Sequence, residues 1–432
     1  MKRDYPGLDL VRFGSALLVT FYHLTYMWWL PANGADPNGR MWLGTASLHS
    51  MSRWGWVGVQ VFFVLSGFVI SFTAEGKDAI EFIKNRVVRL YPAAWFCATS
   101  TLVLSRWGDV GATGDYVRSL TLSPVGPWID GPYWTLAIEL MFYICVFVTL
   151  MFKVSLNALA LFLSTIGCIF PMMSIVQLLP GQHFKPLINL LNSLPMCAQV
   201  ISLACPFFGL GMLFWSLSKP AHPRTHNWLF CATALSCLFQ LLKGCRFLME
   251  KEGETSFIWT LPALIWLFAM TMIAINVHWH KYFSLKLSSK RASLRTLGLM
   301  TYPLYLLHSR IGKDLSVWAS HYMSPIVAVG LATLLVVTLA SLILRLEQIP
   351  RAMLKRLLWP RSKRTMSHIF LTPDSLKTST SGSNMNSPKH AQAWSGDSSV
   401  MRPAFWPVRL DRQACRYLRA HRMRQLLQLV RL

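Results

Sequence analysis

The stretch GLDLVRFGSALLVTFYHLTYMWWL, Gly7 to Leu30, is long and apolar enough to cross a bilayer, yet it carries Asp9, Arg12 and His23. A charged side chain at the bilayer centre costs about 2.5–3.5 kcal/mol on insertion scales, so such residues turn toward protein or water and act there. Arg12 and His23 are eleven residues apart. At 100° and 1.5 Å per residue a helix puts them on nearly the same face, about 16 Å apart in depth. Asp9 stands one turn before Arg12 and can pair with it. Read singly, His23 also fits a hydrogen-bonded core or interfacial histidine, and Arg12 a snorkelling anchor. Their shared face favours a functional pairing.

The same apolar character recurs outward along the chain. Of 432 residues, 53% are hydrophobic and 14% charged. Apolar windows near 8–30, 56–74, 90–105, 134–152, 154–176, 199–217, 227–243, 257–277, 297–318 and 326–344 predict an all-α polytopic membrane protein of about ten transmembrane helices. A net charge of +24 would suit a nucleic-acid partner in a soluble protein. Here the basic residues follow the positive-inside rule instead. Lys77, Lys84, Arg86 and Arg89 fall in one loop region, and Lys281, Lys286, Lys290, Arg291 and Arg295 in another. Both follow even-numbered spans, as expected if the N- and C-termini are cytoplasmic, so membrane topology is the stronger reading of the charge than nucleic acid. Without a small-residue cleavage site between Tyr22 and Leu30, the first span is expected to be retained.

The nine cysteines lie mostly in apolar windows and form no CxxC pair, so they read as packing residues rather than metal ligands or a disulfide framework. His278 and His280 have no carboxylate or cysteine nearby in sequence, and no metal is expected. Residues 1–350 are expected to form the membrane domain and 351–432 a basic, disordered cytoplasmic tail. Within the tail, Ser367 to Ser399 has the composition of a flexible linker. The Arg-dense residues 402–432 fit either a basic amphipathic helix on anionic lipid or a tail without a role.

Four further stretches carry chemistry. GWVGVQVFFVLSGFVISF, Gly55 to Phe72, has glycines and Ser66 that permit close helix approach. FIKNRVVRLYPAAW, Phe82 to Trp95, sets Arg86 and Arg89 three residues apart, just before the Pro92 that is expected to open the third span. Two guanidiniums on one face suit a phosphate clamp, although flanking positive charge is the ordinary alternative. PYWTLAIELMFYICVF, Pro132 to Phe147, buries Glu139 a few residues into an apolar window, where a carboxylate must be protonated or paired. It can orient a histidine or an arginine. TYPLYLLHSR, Thr301 to Arg310, places His308 late in the ninth window.

In this order, with the closing LEQIPR, these fragments resemble the acyltransferase-3 family of integral membrane O-acyltransferases over residues 7–350. The resemblance implies a ten-helix bundle, an acyl-CoA donor (usually acetyl-CoA) and a sugar hydroxyl as acceptor on cell-envelope carbohydrate such as exopolysaccharide, O-antigen or peptidoglycan. It assigns the catalytic histidine to His23, the family arginines to Arg12, Arg86 and Arg89, and the fourth-span glutamate to Glu139. The family's Ser-Tyr-x-x-Tyr-Leu-x-His pattern matches with Thr301 in the first place, followed by Tyr302, Tyr305 and His308. Asp9, Ser66 and Trp134 join these as supporting or substrate-contacting residues.

The sequence thus points to an enzyme of a bacterial inner membrane, without a metal and compatible with self-association. A stand-alone member, with no esterase-like segment after the bundle, is the expectation. Its arginines would hold acyl-CoA at the cytoplasmic side while His23 serves as general base. The competing class is a transporter or flippase for a polysaccharide precursor, in which buried His, Arg and Glu couple to protons or line a passage.

Overall fold

The computed structural model describes residues 5–31, 36, 38–176, 196–251 and 259–359. The chain divides into Met1–Arg364 and Thr365–Leu432, and every described residue belongs to the first unit. The linker and the Arg-dense segment 402–432 lie outside the described residues.

Each of the ten apolar windows falls on a long helix. These are α1 (Pro6–Thr25), α3 (Val57–Ala74), α4 (Ala79–Ser105), α6 (Tyr133–Met151), α7 (Leu156–Val176), α8 (Met196–Leu217), α9 (Thr225–Lys251), α10 (Thr260–His278), α12 (Arg291–Leu307) and α14 (Pro325–Leu346). Shorter helices α2 (Arg40–Ser52), α5 (Ala112–Leu120), α11 (His280–Lys286), α13 (Arg310–Ser320) and α15 (Gln348–Leu358) connect or flank them. Among the described residues there is no strand. Six stretches are long and apolar enough to cross a membrane, namely Val57–Ala74, Ala79–Ser105, Tyr133–Met151, Thr225–Arg246, Thr260–His278 and Pro325–Leu358. Leu156–Ile169 and Leu203–Leu217 are shorter apolar helical stretches. The two long helices in neither group, α1 and α12, carry Asp9, Arg12 and His23, and Arg291 and Arg295, on otherwise apolar sequence. They pack on each other, and the candidate site lies along their seam.

Small residues set the spacing. A Cβ on Gly67 would run into the Phe208 carbonyl, and one on Gly211 into the Val64 carbonyl, so α3 and α8 touch backbone to backbone. Gly55 and Gly58 bring α3 equally close to the Leu18 and Ser15 carbonyls of α1. Close approach was the role expected of these glycines. Pro6 in the first turn and Asp9 near the N-terminal dipole suit the start of α1.

Two boundaries differ from the sequence expectation. Pro92 does not open a helix: α4 begins at Ala79, where Asp78 accepts a hydrogen bond from the Glu81 amide at 3.1 Å, and continues through Pro92 to Ser105. Arg86 and Arg89 therefore belong to the span itself. The ninth window splits at His308, because α12 ends there and α13 starts afresh at Arg310. Asp130, from the α5–α6 connection, accepts the Arg310 amide at 2.9 Å and so satisfies a donor that the new helix leaves open. Past residue 350 the chain remains helical to Leu358. The Lys84 ammonium donates to the Leu358 carbonyl at 2.9 Å and tethers α15 to α4.

Candidate functional site

One cavity along the seam takes in about 680 Å³, part of it open to solvent. Its polar lining includes Arg12 of α1, Ser66 of α3, Arg89 of α4, Thr135 and Glu139 of α6, and Tyr302 and Tyr305 of α12. Phe62 and Phe63 supply much of its apolar wall. A second hollow of about 560 Å³ is lined by Asp9, Arg12, Arg89, Arg291, Arg295 and Gly298 among others. Arg12, Arg89 and Gly298 line both, so the two spaces meet at these residues. One end is thus a four-guanidinium vestibule, and the other a mainly apolar slot with a few hydroxyls and the Glu139 carboxylate.

Local sequence accounts for this placement. Arg291 and Arg295 are one helical turn apart on α12 and project from the same face, with Gly298 a further turn along. At Gly298 a side chain would collide with Asp9, so glycine there lets α1 and α12 close around the carboxylate. Asp9 Oδ1 stands 4.0 Å from Arg12 Nη1, as one turn of helix predicts.

Glu139 is held by two hydroxyls, Ser66 Oγ donating to its Oε1 at 3.1 Å and Tyr143 Oη donating to the same oxygen at 2.7 Å. It shares the slot with Arg12 and Arg89 rather than standing beside His23. The two arginines of α4 separate. Arg89 lines both cavities, whereas Arg86 is buried, donates from Nη2 to Thr73 Oγ1 at 2.8 Å, and lies over the Phe82 and Tyr143 rings. Arg86 does not line either cavity and backs the Tyr143–Glu139 pair instead.

His23 is partly buried and sits at the other end of α1, outside the lining of the slot. Its Nδ1 is 2.9 Å from the Val19 carbonyl and 3.2 Å from Nε2 of the fully buried His308. The rings cross nearly edge to face, with centroids 4.7 Å apart. Tyr305 joins slot and histidines, because its ring packs against Phe62 and His308 and its hydroxyl pairs with Thr135 at 3.1 Å. Trp134 lies exposed in the first turn of α6, away from both cavities.

Residues 5–345 match the acyltransferase-3 family, described as an acyltransferase domain. The chain belongs to that family. Membership decides between the two classes open at the sequence level in favour of an enzyme embedded in the membrane. O-acetyltransferase OatA of Staphylococcus aureus (strain NCTC 8325 / PS 47) is 26% identical over 172 residues, 33% of this chain and 24% of that protein. Acyltransferase MdmB of Streptomyces mycarofaciens is 30% identical over 153 residues, 32% of this chain and 37% of that protein. YrhL of Bacillus subtilis (strain 168), provisionally named a peptidoglycan O-acetyltransferase, is 35% identical over 108 residues, 23% of this chain and 13% of that protein. The chain therefore spans between about an eighth and two fifths of these relatives. No solved structure matches.

Within this acyltransferase fold, the sequence motifs fell mainly on one cavity system, but several lining groups escaped them. Arg291 and Arg295 read only as flanking charge, although their four-residue spacing ahead of TYPLYLLH was a usable signal. Tyr143, four residues after Glu139, was legible as a helical neighbour. Thr135 and Gly298 carried no sequence signal of their own, and neither did Asp130, which lines neither cavity.

Proposed function

We propose that the chain is an O-acyltransferase that takes an acyl group, acetyl in the first instance, from acyl-CoA on the cytoplasmic side of a bacterial inner membrane. The acceptor is a hydroxyl of a cell-envelope carbohydrate. The observation that carries this reading is the junction of the two cavities at Arg12, Arg89 and Gly298. A donor for such a space must be polyanionic at one end and slender and mainly uncharged at the other, which describes CoA phosphates followed by a pantetheine arm. Guanidiniums engage phosphate oxygens through charge-assisted, often bidentate hydrogen bonds. Arg12, Arg89, Arg291 and Arg295 are the groups assigned to that task. Arg86 supports them from behind through Tyr143 and Glu139.

The thioester then arrives at the Tyr305 end of the slot, and displacement of the Tyr305 or Phe62 ring brings it to His23. There His23 takes the proton of the acceptor hydroxyl as its oxygen attacks the thioester carbon. The carbon–sulfur bond breaks, and the imidazolium returns the proton to the departing thiolate. The O-acetyltransferase and acyltransferase names of the relatives support the reaction type.

The test is mass spectrometry of envelope glycans from cells carrying the wild-type or the His23→Ala chain. Acetyl ester on a glycan with the former and none with the latter is expected. Equal esterification in both would remove His23 from the chemistry.

A further inference from the structure

The proton positions on the paired histidines, His308 fully and His23 partly buried, follow from the atoms that surround them. His308 Nδ1 faces the Tyr305 carbonyl at 2.8 Å, and a carbonyl oxygen only accepts, so Nδ1 of His308 carries its proton. In the neutral ring, Nε2 of His308 is then a bare lone pair. That lone pair is 3.2 Å from His23 Nδ1, which also faces the Val19 carbonyl at 2.9 Å. Two acceptors around one nitrogen require a proton on it. The opposite arrangement, with His308 donating to His23, would set two lone pairs against carbonyl oxygens in a buried place, an arrangement that costs free energy at both ends.

We infer that His308 is a positioning residue that locks His23 in the Nδ1–H tautomer and accepts from the imidazolium formed during transfer. This rests on the reading of His23 as general base given above. With Nδ1 protonated, the basic lone pair of His23 is on Nε2. When Nε2 takes the hydroxyl proton, the positive charge on the ring strengthens the Nδ1–H···Nε2 bond to His308, because a charged donor makes a stronger bond than a neutral one. The step is balanced: the O–H bond breaks, the N–H bond forms at His23 Nε2, and His308 gains no proton of its own. A histidine does here what a carboxylate does in other sites, without placing a fixed negative charge in the apolar interior. Full burial of His308, between Tyr305 and His23, keeps water from competing for the shared proton.

Substitution separates this role from mere packing. His308→Gln can present its amide oxygen near the position of Nε2, whereas His308→Leu fills the volume and accepts nothing. Acyl transfer by purified, lipid-reconstituted protein should fall about 100-fold or more in kcat for His308→Leu, with the donor KM unchanged, and recover to within about 10-fold of wild type for His308→Gln. Leucine retaining wild-type kcat would overturn the inference, as would glutamine no better than leucine in proteins that still bind donor. An inactive His23→Ala protein beside a fully active His308→Leu protein would sink the inference and leave the proposed function standing. A measurement on the unsubstituted protein needs no variant to fold: solid-state nitrogen NMR of labelled histidine should show the Nδ1–H form for both rings. An Nε2–H form at His23 would contradict the lock.

Discussion

The two ends of α1 solve opposite electrostatic problems. At the Asp9 end, Arg12 shares a broad, partly open vestibule with Arg89, Arg291 and Arg295, so positive charge accumulates where solvent and a polyanion can reach it. At the His23 end, two imidazoles pack on each other, His308 fully and His23 partly buried, with their other polar contacts directed to backbone carbonyls. On the proposed function, charge is concentrated where the donor phosphates bind and kept low where the hydroxyl proton is taken up. The slot between them, with Glu139 tied to Ser66 and Tyr143, ends at Phe62 and Tyr305, short of His23.

This contrast can be broken at either end. The largest effect is expected at the histidine end, where His23→Ala should reduce turnover by about 100-fold to 10,000-fold and leave the donor KM near its wild-type value, read from steady-state kinetics. Next comes the pair on α4. Arg89→Ala should raise the donor KM about 10-fold to 100-fold, the range of one lost charge-assisted contact, with little change in thermal stability. Arg86→Ala should do the reverse, costing about 2 kcal/mol of stability through the lost Thr73 and ring contacts while donor KM stays close to normal. If the two variants behave alike in both assays, the separation of a binding arginine from a supporting one is wrong.

A smaller effect is expected from Arg291→Gln with Arg295→Gln, whose side chains are exposed and screened. Together they should raise the KM for acyl-CoA by about 3-fold to 10-fold and weaken its salt dependence, with no change for an acyl-pantetheine that lacks the nucleotide phosphates. An equal effect on both donors would detach these arginines from phosphate recognition.

The smallest is a pH effect outside the spans. Burial lifts the Asp130 carboxyl to about 6, against the opposing pull of the Arg310 and Gly131 amides. Its folded value lies above the unfolded one, so its contribution to stability is complete below about pH 4 and is lost as pH rises through about 6. Melting temperature between pH 4 and 7 should therefore fall more steeply for the wild type than for Asp130→Asn. Parallel curves would show that Asp130 titrates as an ordinary carboxylate.

Helical period and hydropathy made the ten long helices and much of the slot legible, because apolar windows and i,i+3 or i,i+4 spacings are local properties. Asp9 beside Arg12, and Arg12 in line with the His23 end of one helix, follow from 3.6 residues per turn alone. The arrangement of Arg86 and Arg89 did not follow. Pro92 suggested a boundary, but the helix runs through it, and only then does one guanidinium turn toward Thr73 and the other toward the cavity. His308 meets His23 from 285 residues away, a distance in sequence at which no periodicity operates. Asp130 is equally remote from the helix it caps.

The most direct measurement is transfer of radiolabel from acetyl-CoA supplied to inside-out membrane vesicles, followed in envelope carbohydrate for the wild-type, His23→Ala and Arg89→Ala chains. Label should enter carbohydrate with the wild type, fail to enter with His23→Ala at any donor concentration, and be restored with Arg89→Ala as donor is raised. Label that enters equally in all three, or a His23→Ala defect cured by excess donor, would contradict the division of labour between the arginine and histidine ends.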